Sequence, residues 1–235
     1  RTPKWNCSLS LDMDNYLKFK LIDSEQVDEI VESFSDVAWQ SGRDSGGHPS
    51  KTNIEMDSTS PRFADIDNKF VGYIMDNDIV YDNTISTNIS NTIFSIMDVD
   101  GQYPLHTDAA FLGHYSMTTF LNDPDEYEGG ELILAVNGEK LSVKLEKGHS
   151  VLYVTGTRHA VNKVTKGTRK VAVNWVTSGF PDPAMRSIYF DLLKIDSYYD
   201  EFDGLNSLDY DELAQHPAFL AKKIRQELRR LHHSQ

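Results

Sequence analysis

Gly129-Gly130-Glu131-Leu132-Ile133-Leu134-Ala135-Val136-Asn137-Gly138-Glu139-Lys140-Leu141-Ser142-Val143-Lys144-Leu145 is the stretch that decides the fold. Leu132, Leu134 and Val136 recur every second residue, and Leu141, Val143 and Leu145 alternate with Ser142 and Lys144. That period of two is the mark of a half-buried strand. Asn137-Gly138 between the two runs is a turn signal. Working outward, the period of two begins near Ile85, and further short strands are expected at residues 150–154 and 170–177. Asn122-Asp123-Pro124, Lys147-Gly148 and Lys166-Gly167 punctuate them as turns. Short strands at this spacing predict a mainly β protein with flanking helices, built as a β-sandwich or jelly roll.

The flanks read differently. Val27, Ile30, Val31, Phe34, Val37 and Ala38 follow helical spacing, with Asp23 or Ser24 as the cap. A second helix is expected from Ser60-Pro61, carrying Phe63, Ile66, Phe70, Tyr73 and Ile74 on its apolar face. Residues 41–60 between them are rich in Gly and Ser and read as a polar loop, functional or mobile, in which Arg43 either helps close over a substrate or is a solvated loop arginine. After Pro181 and Pro183, residues 188–193 read as a short apolar strand or turn, followed by an acidic loop over 196–203. A last helix is expected from Pro217, with Leu220, Ile224, Leu228 and Leu231 on one side, a stripe that fits internal docking or a homo-oligomer contact. The expectation is one domain over residues 1–235: a helical flank to about 84, a β core over about 85–195, and a C-terminal loop and helix.

Bulk properties narrow the function. A net charge of −13 argues against a general nucleic-acid partner, which needs basic surface. Lys163, Lys166 and Lys170, and the tail over residues 222–230, are local basic patches that read as solvated faces. No run approaches the roughly 18 to 20 apolar residues of a membrane helix, so no membrane partner is expected. The single cysteine, Cys7, cannot form an internal disulfide, which favours a cytoplasmic setting.

Three features carry chemistry. In His106-Thr107-Asp108, residues two apart in an extended segment point to one side, so an imidazole and a carboxylate can converge on one metal. His159 lies at a turn just past the apolar run 151–154, where a barrel mouth would open. Two histidines and one carboxylate leave coordination positions free, the arrangement of non-haem Fe(II) oxygenases. Arg169 shares a face with Val171, Val173 and Trp175, and so points toward the core. A buried guanidinium needs an anion. An internal Asp or Glu could provide it, and so could a bound dicarboxylate such as 2-oxoglutarate, whose carboxylate suits the planar fork.

The stretch over residues 106–193 resembles the prolyl/lysyl-hydroxylase-domain type of Fe(II)/2-oxoglutarate dioxygenases, in particular the bacterial iron-uptake-associated hydroxylases. The matching elements are Tyr103-x-x-His106-x-Asp108, residues 120–132 (Phe-Leu-Asn-Asp-Pro-Asp-Glu-Tyr-Glu-Gly-Gly-Glu-Leu), residues 148–153 (Gly-His-Ser-Val-Leu-Tyr), His159-x-Val161, Gly167-x-Arg169 and Trp175-Val176-x-Ser178. The resemblance implies a double-stranded β-helix of cupin type, with His106, Asp108 and His159 on Fe(II). It implies that Arg169 binds the distal carboxylate of 2-oxoglutarate, that Trp175 and Thr119 line that pocket, and that Tyr103 sits near the metal or substrate. Thr119 is placed there because Met117, Thr119 and Leu121 share a strand face taken as inward. The cofactor set would be Fe(II), 2-oxoglutarate and O2, with ascorbate as an accessory. The substrate would be a peptide, a protein or a small molecule, with a prolyl C–H as the implied target. The chain departs from the pattern at Met97, where relatives often carry a tyrosine, and at Leu112, where the bacterial relatives carry a polar residue.

Two rival readings use the same residues. A non-catalytic cupin-like binding module has no need for all of His106, Asp108, His159 and Arg169. A Zn(II) hydrolase would use the three ligands to activate water, but gives Arg169 no role. Metal preference and 2-oxoglutarate dependence separate the three.

Overall fold

The structure is a computed structural model that describes residues 16–43, 50–200 and 209–233. It divides into two compact units, one ending at Ser178 and one beginning at Gly179. The first carries the strands and the cavity. Its core strands are β5 (Ile93–Met97), β6 (Tyr103–His106), β7 (Tyr115–Phe120), β9 (Leu132–Val136), β10 (Glu139–Val143), β11 (His149–Val154), β12 (His159–Val161) and β14 (Arg169–Ser178). The chain passes back and forth between two sheets. The large sheet places β11, β7, β14 and β5 side by side, and the small one runs β10-β9-β12-β6. All these neighbours are antiparallel. This is the jelly-roll topology of a double-stranded β-helix, as expected. A separate ribbon pairs β8 (Tyr127–Gly129) with β13 (Val164–Gly167).

The core between the sheets takes residues from both: Met97, Phe120, Val151, Tyr153 and Val171 from the large one, and Leu132, Leu134, Val136, Val143 and Val161 from the small one. Burial of each such side chain contributes about 1.5–3 kcal/mol. The outer face of the large sheet is also covered. Phe94 there meets Phe70 and Phe34 edge-on, at centroid distances of 5.5 and 5.2 Å. Phe70 comes from helix α2 (Phe63–Asp76), and Phe34 from the 3-10 turn (Ser33–Asp36) that follows helix α1 (Ser24–Glu32). Asp23 precedes α1 as its cap, and its N–H donates to the Gln26 side chain at 2.9 Å.

The N-terminal flank differs from the expectation of a helical region. It adds three strands to the large sheet: β1 (Tyr16–Lys20) beside β11, and β3 (Ile54–Met56) beside β5 with β2 (Trp39–Ser41) outside it. Leu17 and Phe19 are the buried residues of β1, so an alternating signal was present. The polar loop expected over 41–60 therefore contains sheet, and Lys51 and Glu55 within it are buried. Residues 44–49 lie outside the described part. A short helix, α3 (Asp78–Thr84), capped by the Asn77 side chain, then leads to β4 (Ser86–Ile89).

In the second unit, residues 188–193 are helical, not a strand or turn. They belong to α4 (Pro183–Asp200), where Tyr189, Phe190 and Leu193 form the buried side. The acidic loop expected over 196–203 is thus the end of this helix as far as Asp200, and residues 201–203 lie outside the described part. The last helix, α6 (Pro217–His233), follows the short α5 (Tyr210–Gln215) and starts at the expected proline. It buries Ala218, Ala221, Arg225 and Leu228, and leaves Leu220 and Ile224 exposed; the side chain of Leu231 lies outside the described part. No helix among the described residues is long and apolar enough to cross a membrane.

Candidate active site

A cavity of about 500 Å³ opens between the two sheets. β6 and the turn after it deliver His106 and Asp108, and β12 delivers His159 directly opposite His106 in the sheet register. The ligating atoms of the three residues lie within 4.8 Å of one another and could hold a metal ion. Asp108 Oδ1 is 3.8 Å from His106 Nε2 and 3.6 Å from His159 Nε2. Each ring is oriented from behind: His106 Nδ1 donates to Pro104 O at 2.8 Å, and His159 Nδ1 to Thr157 O at 2.9 Å. With the proton fixed on Nδ1, the lone pair of each Nε2 faces Asp108. Burial, with the neighbouring His159 second, lowers the His106 pKa to about 4. The ring is therefore neutral at physiological pH, as a metal ligand must be.

The other oxygen of Asp108 is held by two donors, Ser116 Oγ at 2.6 Å and Trp175 Nε1 at 3.0 Å. Trp175 lines the cavity, as expected, and the structure gives it this further contact. Tyr103 stacks on His106 with ring centroids 3.6 Å apart, which places it beside the metal-binding group. Thr119 is not where the sequence reading put it. Its hydroxyl is fully buried against Ser150 Oγ at 2.8 Å, on the opposite face of β7, and Thr118 lines the cavity instead.

Arg169 opens β14 and reaches into the cavity with 2% of its surface exposed. Among the described residues no carboxylate lies within ion-pair distance of it, and its Nε has no hydrogen-bond partner. Burial lowers its pKa, and the polar groups that offset this are the phenols of Tyr127 and Tyr153. Arginine nevertheless stays cationic at neutral pH. A buried, unneutralised guanidinium facing a cavity calls for an anion from outside the chain. The internal Asp or Glu that the sequence left open is absent from the described residues.

A model of the 2OG-Fe(II) oxygenase superfamily matches residues 92–177. A PKHD-type hydroxylase of Prochlorococcus marinus is 33% identical over 187 residues, covering 76% of this chain and 85% of that protein. The chain belongs to the 2OG-Fe(II) oxygenases. Solved structures agree on the fold. A Pseudomonas putida prolyl-4-hydroxylase superposes with a TM-score of 0.53 at 13% identity, covering 72% of this chain and 95% of that one. A Trichoplax adhaerens prolyl hydroxylase in complex with a hypoxia inducible factor peptide gives 0.51 at 11%, covering 72% and 86%. The oxygenase uses Fe(II) and 2-oxoglutarate to hydroxylate a C–H bond, and the donor set and the unpaired Arg169 of its cavity fit both groups.

Sequence reading missed a polar group of this oxygenase's cavity, besides Thr118. Lys51, Asn53 and Glu55, around β3, and Ser95, on β5, form a polar cluster in its wall. Arg43 does not reach the cavity; its Nε donates to Lys51 O at 3.2 Å beside a neighbouring groove. Two lysines of the first basic patch are neutralised in place, with Lys163 on Asp100 and Lys166 on Glu128.

Proposed function

We propose that this oxygenase hydroxylates a prolyl residue in a peptide, with His106, Asp108 and His159 holding Fe(II) and Arg169 holding the distal carboxylate of 2-oxoglutarate. The observation that carries the residue assignment is the buried guanidinium of Arg169, which has no anion in the same cavity as the three clustered ligands. The substrate class is supported by the relatives' names as PKHD-type and prolyl hydroxylases.

When bound, iron and 2-oxoglutarate supply the oxidising chemistry, in which O2 is consumed, succinate and CO2 are formed and the substrate gains one oxygen. The protein's contribution is orientation and exclusion of water. His106, Asp108 and His159 would hold the metal by three ligands, a set that would leave it open to 2-oxoglutarate and O2. Ser116 and Trp175 keep Asp108 turned toward the histidines. Ile93, Met97, Val171 and Val173 give the cavity that holds the metal-binding group and Arg169 an apolar lining. Tyr103 shields the open side of His106 by stacking.

The test is turnover on a pool of end-capped, proline-containing peptides with Fe(II), 2-oxoglutarate and O2. Succinate formation matched by a one-oxygen mass gain on proline is the expected result. A mass gain confined to another residue type, or none, overturns the prolyl assignment.

A further inference from the structure

The Lys51–Glu55 pair is an odd thing to bury in a cavity wall. Lys51 Nζ lies 2.5 Å from Glu55 Oε1, and the two side chains are 9% and 3% exposed. Asn53 Nδ2 donates to the same oxygen at 2.9 Å and to Ser95 Oγ at 2.7 Å. Both donors therefore converge on Oε1, and no described residue donates to Glu55 Oε2. Sheet register puts Glu55 beside Ser95, and Ser95 beside Val171 of β14, in one row across the cavity wall. The cluster also borders the metal side, because Lys51 Nζ lies 5.1 Å from the ring of Tyr103, which stacks on His106. A buried ion pair contributes little net stability compared with apolar residues of the same volume. Stability does not explain an acceptor held in place with one oxygen left over.

We propose that Glu55 is a substrate-specificity residue, whose Oε2 accepts an N–H from a neutral amide of a peptide substrate while Lys51 and Asn53 fix the carboxylate. The inference rests on the oxygenase reading of the cavity and deepens it. A neutral donor is favoured over an ammonium because Lys51 already balances the charge of Glu55, and a second cation would be repelled by it. Ile93, Met97, Val171 and Val173 add apolar surface to the same cavity, which suits an uncharged chain segment. Lys51 and Asn53 also border a second groove of about 400 Å³, so there is room for chain beyond the cavity. A free amino acid has no need of that extension.

The test compares wild type with Glu55→Gln and Glu55→Asp, using the capped-peptide pool and, in parallel, the free amino acids. The visible band of the anaerobic Fe(II)–2-oxoglutarate complex reports on fold and cosubstrate binding in each variant. Glu55→Gln can turn an N–H toward the substrate in place of an acceptor, and a lost charge-assisted bond raises the peptide KM about ten- to a hundredfold. The loss should fall on KM more than on kcat, and Glu55→Asp, which keeps the charge, should recover part of it. An unchanged KM in Glu55→Gln with the band intact overturns the proposal. So does a wild-type preference for free amino acids over capped peptides. Absence of the band in wild type would instead contradict the cosubstrate reading itself.

Discussion

Replacing Trp175 by Phe removes one hydrogen bond to the metal-binding carboxylate and keeps most of the ring packing. The indole Nε1–H donates to Asp108 Oδ2 at 3.0 Å, and Ser116 Oγ remains at 2.6 Å as the second donor. The Asp108 side chain is 11% exposed, so water is a poor substitute for the lost donor. A hydrogen bond to a charged group contributes about 1.5–3 kcal/mol. That is a ceiling on the effect, because the bond exists both with and without metal. Its value for binding lies in preventing Asp108 from turning away from His106 and His159 in the metal-free protein. At about 1.4 kcal/mol per tenfold, the ceiling corresponds to roughly 10- to 100-fold in affinity, the range for an outer partner of a metal ligand. Calorimetric titration with Mn(II), which avoids oxidation, reads this directly. Ser116→Ala should have a similar effect, and the double variant should lose more than either. Metal affinity within twofold of wild type in a folded Trp175→Phe protein would show that the indole does not hold Asp108 in place for the metal.

Four other outcomes follow from particular residues. His106 has a pKa lowered from 6.5 to about 4 in the folded apo-protein. Above pH 6.5 it is neutral in both folded and unfolded chains; between 6.5 and about 4 only the unfolded chain takes up the proton, so metal-free stability should fall across that window. Denaturant melts of the apo-protein at stepped pH check this, and His106→Gln should flatten the slope. Thr118→Val should raise the KM for 2-oxoglutarate or substrate in steady-state assays, because Thr118 faces the cavity. Thr119→Val should leave KM alone and lower the melting temperature, since it strands the buried Ser150 hydroxyl at a cost of about 1–3 kcal/mol. Gly148→Ala should destabilise the fold in a thermal melt, by about 1–3 kcal/mol from its left-handed backbone alone. Its φ is +82°, and a Cβ there would lie 2.3 Å from Ile22 O, so a real clash adds to that figure.

The parts of the fold and site that were legible share a cause. In β14 the alternation of Arg169, Val171, Val173 and Trp175 against their neighbours placed all four on the cavity side, because a single strand keeps its parity over its whole length. The His106-x-Asp108 spacing likewise depends only on local geometry, whereas His159, expected at a turn, is the first residue of β12. Thr119 failed for the opposite reason. Every residue of β7 is buried, since one face meets the inter-sheet core and the other is covered too, and alternation then carries no sign of which face is inward. The cluster around Glu55 was hidden by composition. Residues 41–60 look too polar to pack, yet Lys51, Asn53 and Glu55 bond to one another in the cavity wall, joined by Ser95 of β5. In α4 the short apolar run 188–193 is ambiguous in period, and the proline at the start of the helix, Pro183, was the cue that decides for a helix. β2 and β3, at three residues each, are too short to show any period.

Arg169 and the His106–Asp108–His159 cluster are proposed to act together on one cosubstrate. Anaerobic titration of the metal-free protein with Fe(II) and 2-oxoglutarate tests this without knowledge of the substrate, through the visible charge-transfer band of an iron-chelated keto acid. The band should appear in wild type, vanish in Asp108→Ala and need far more 2-oxoglutarate in Arg169→Ala. No band in wild type, or an Arg169→Ala titration that overlays it, would contradict the account.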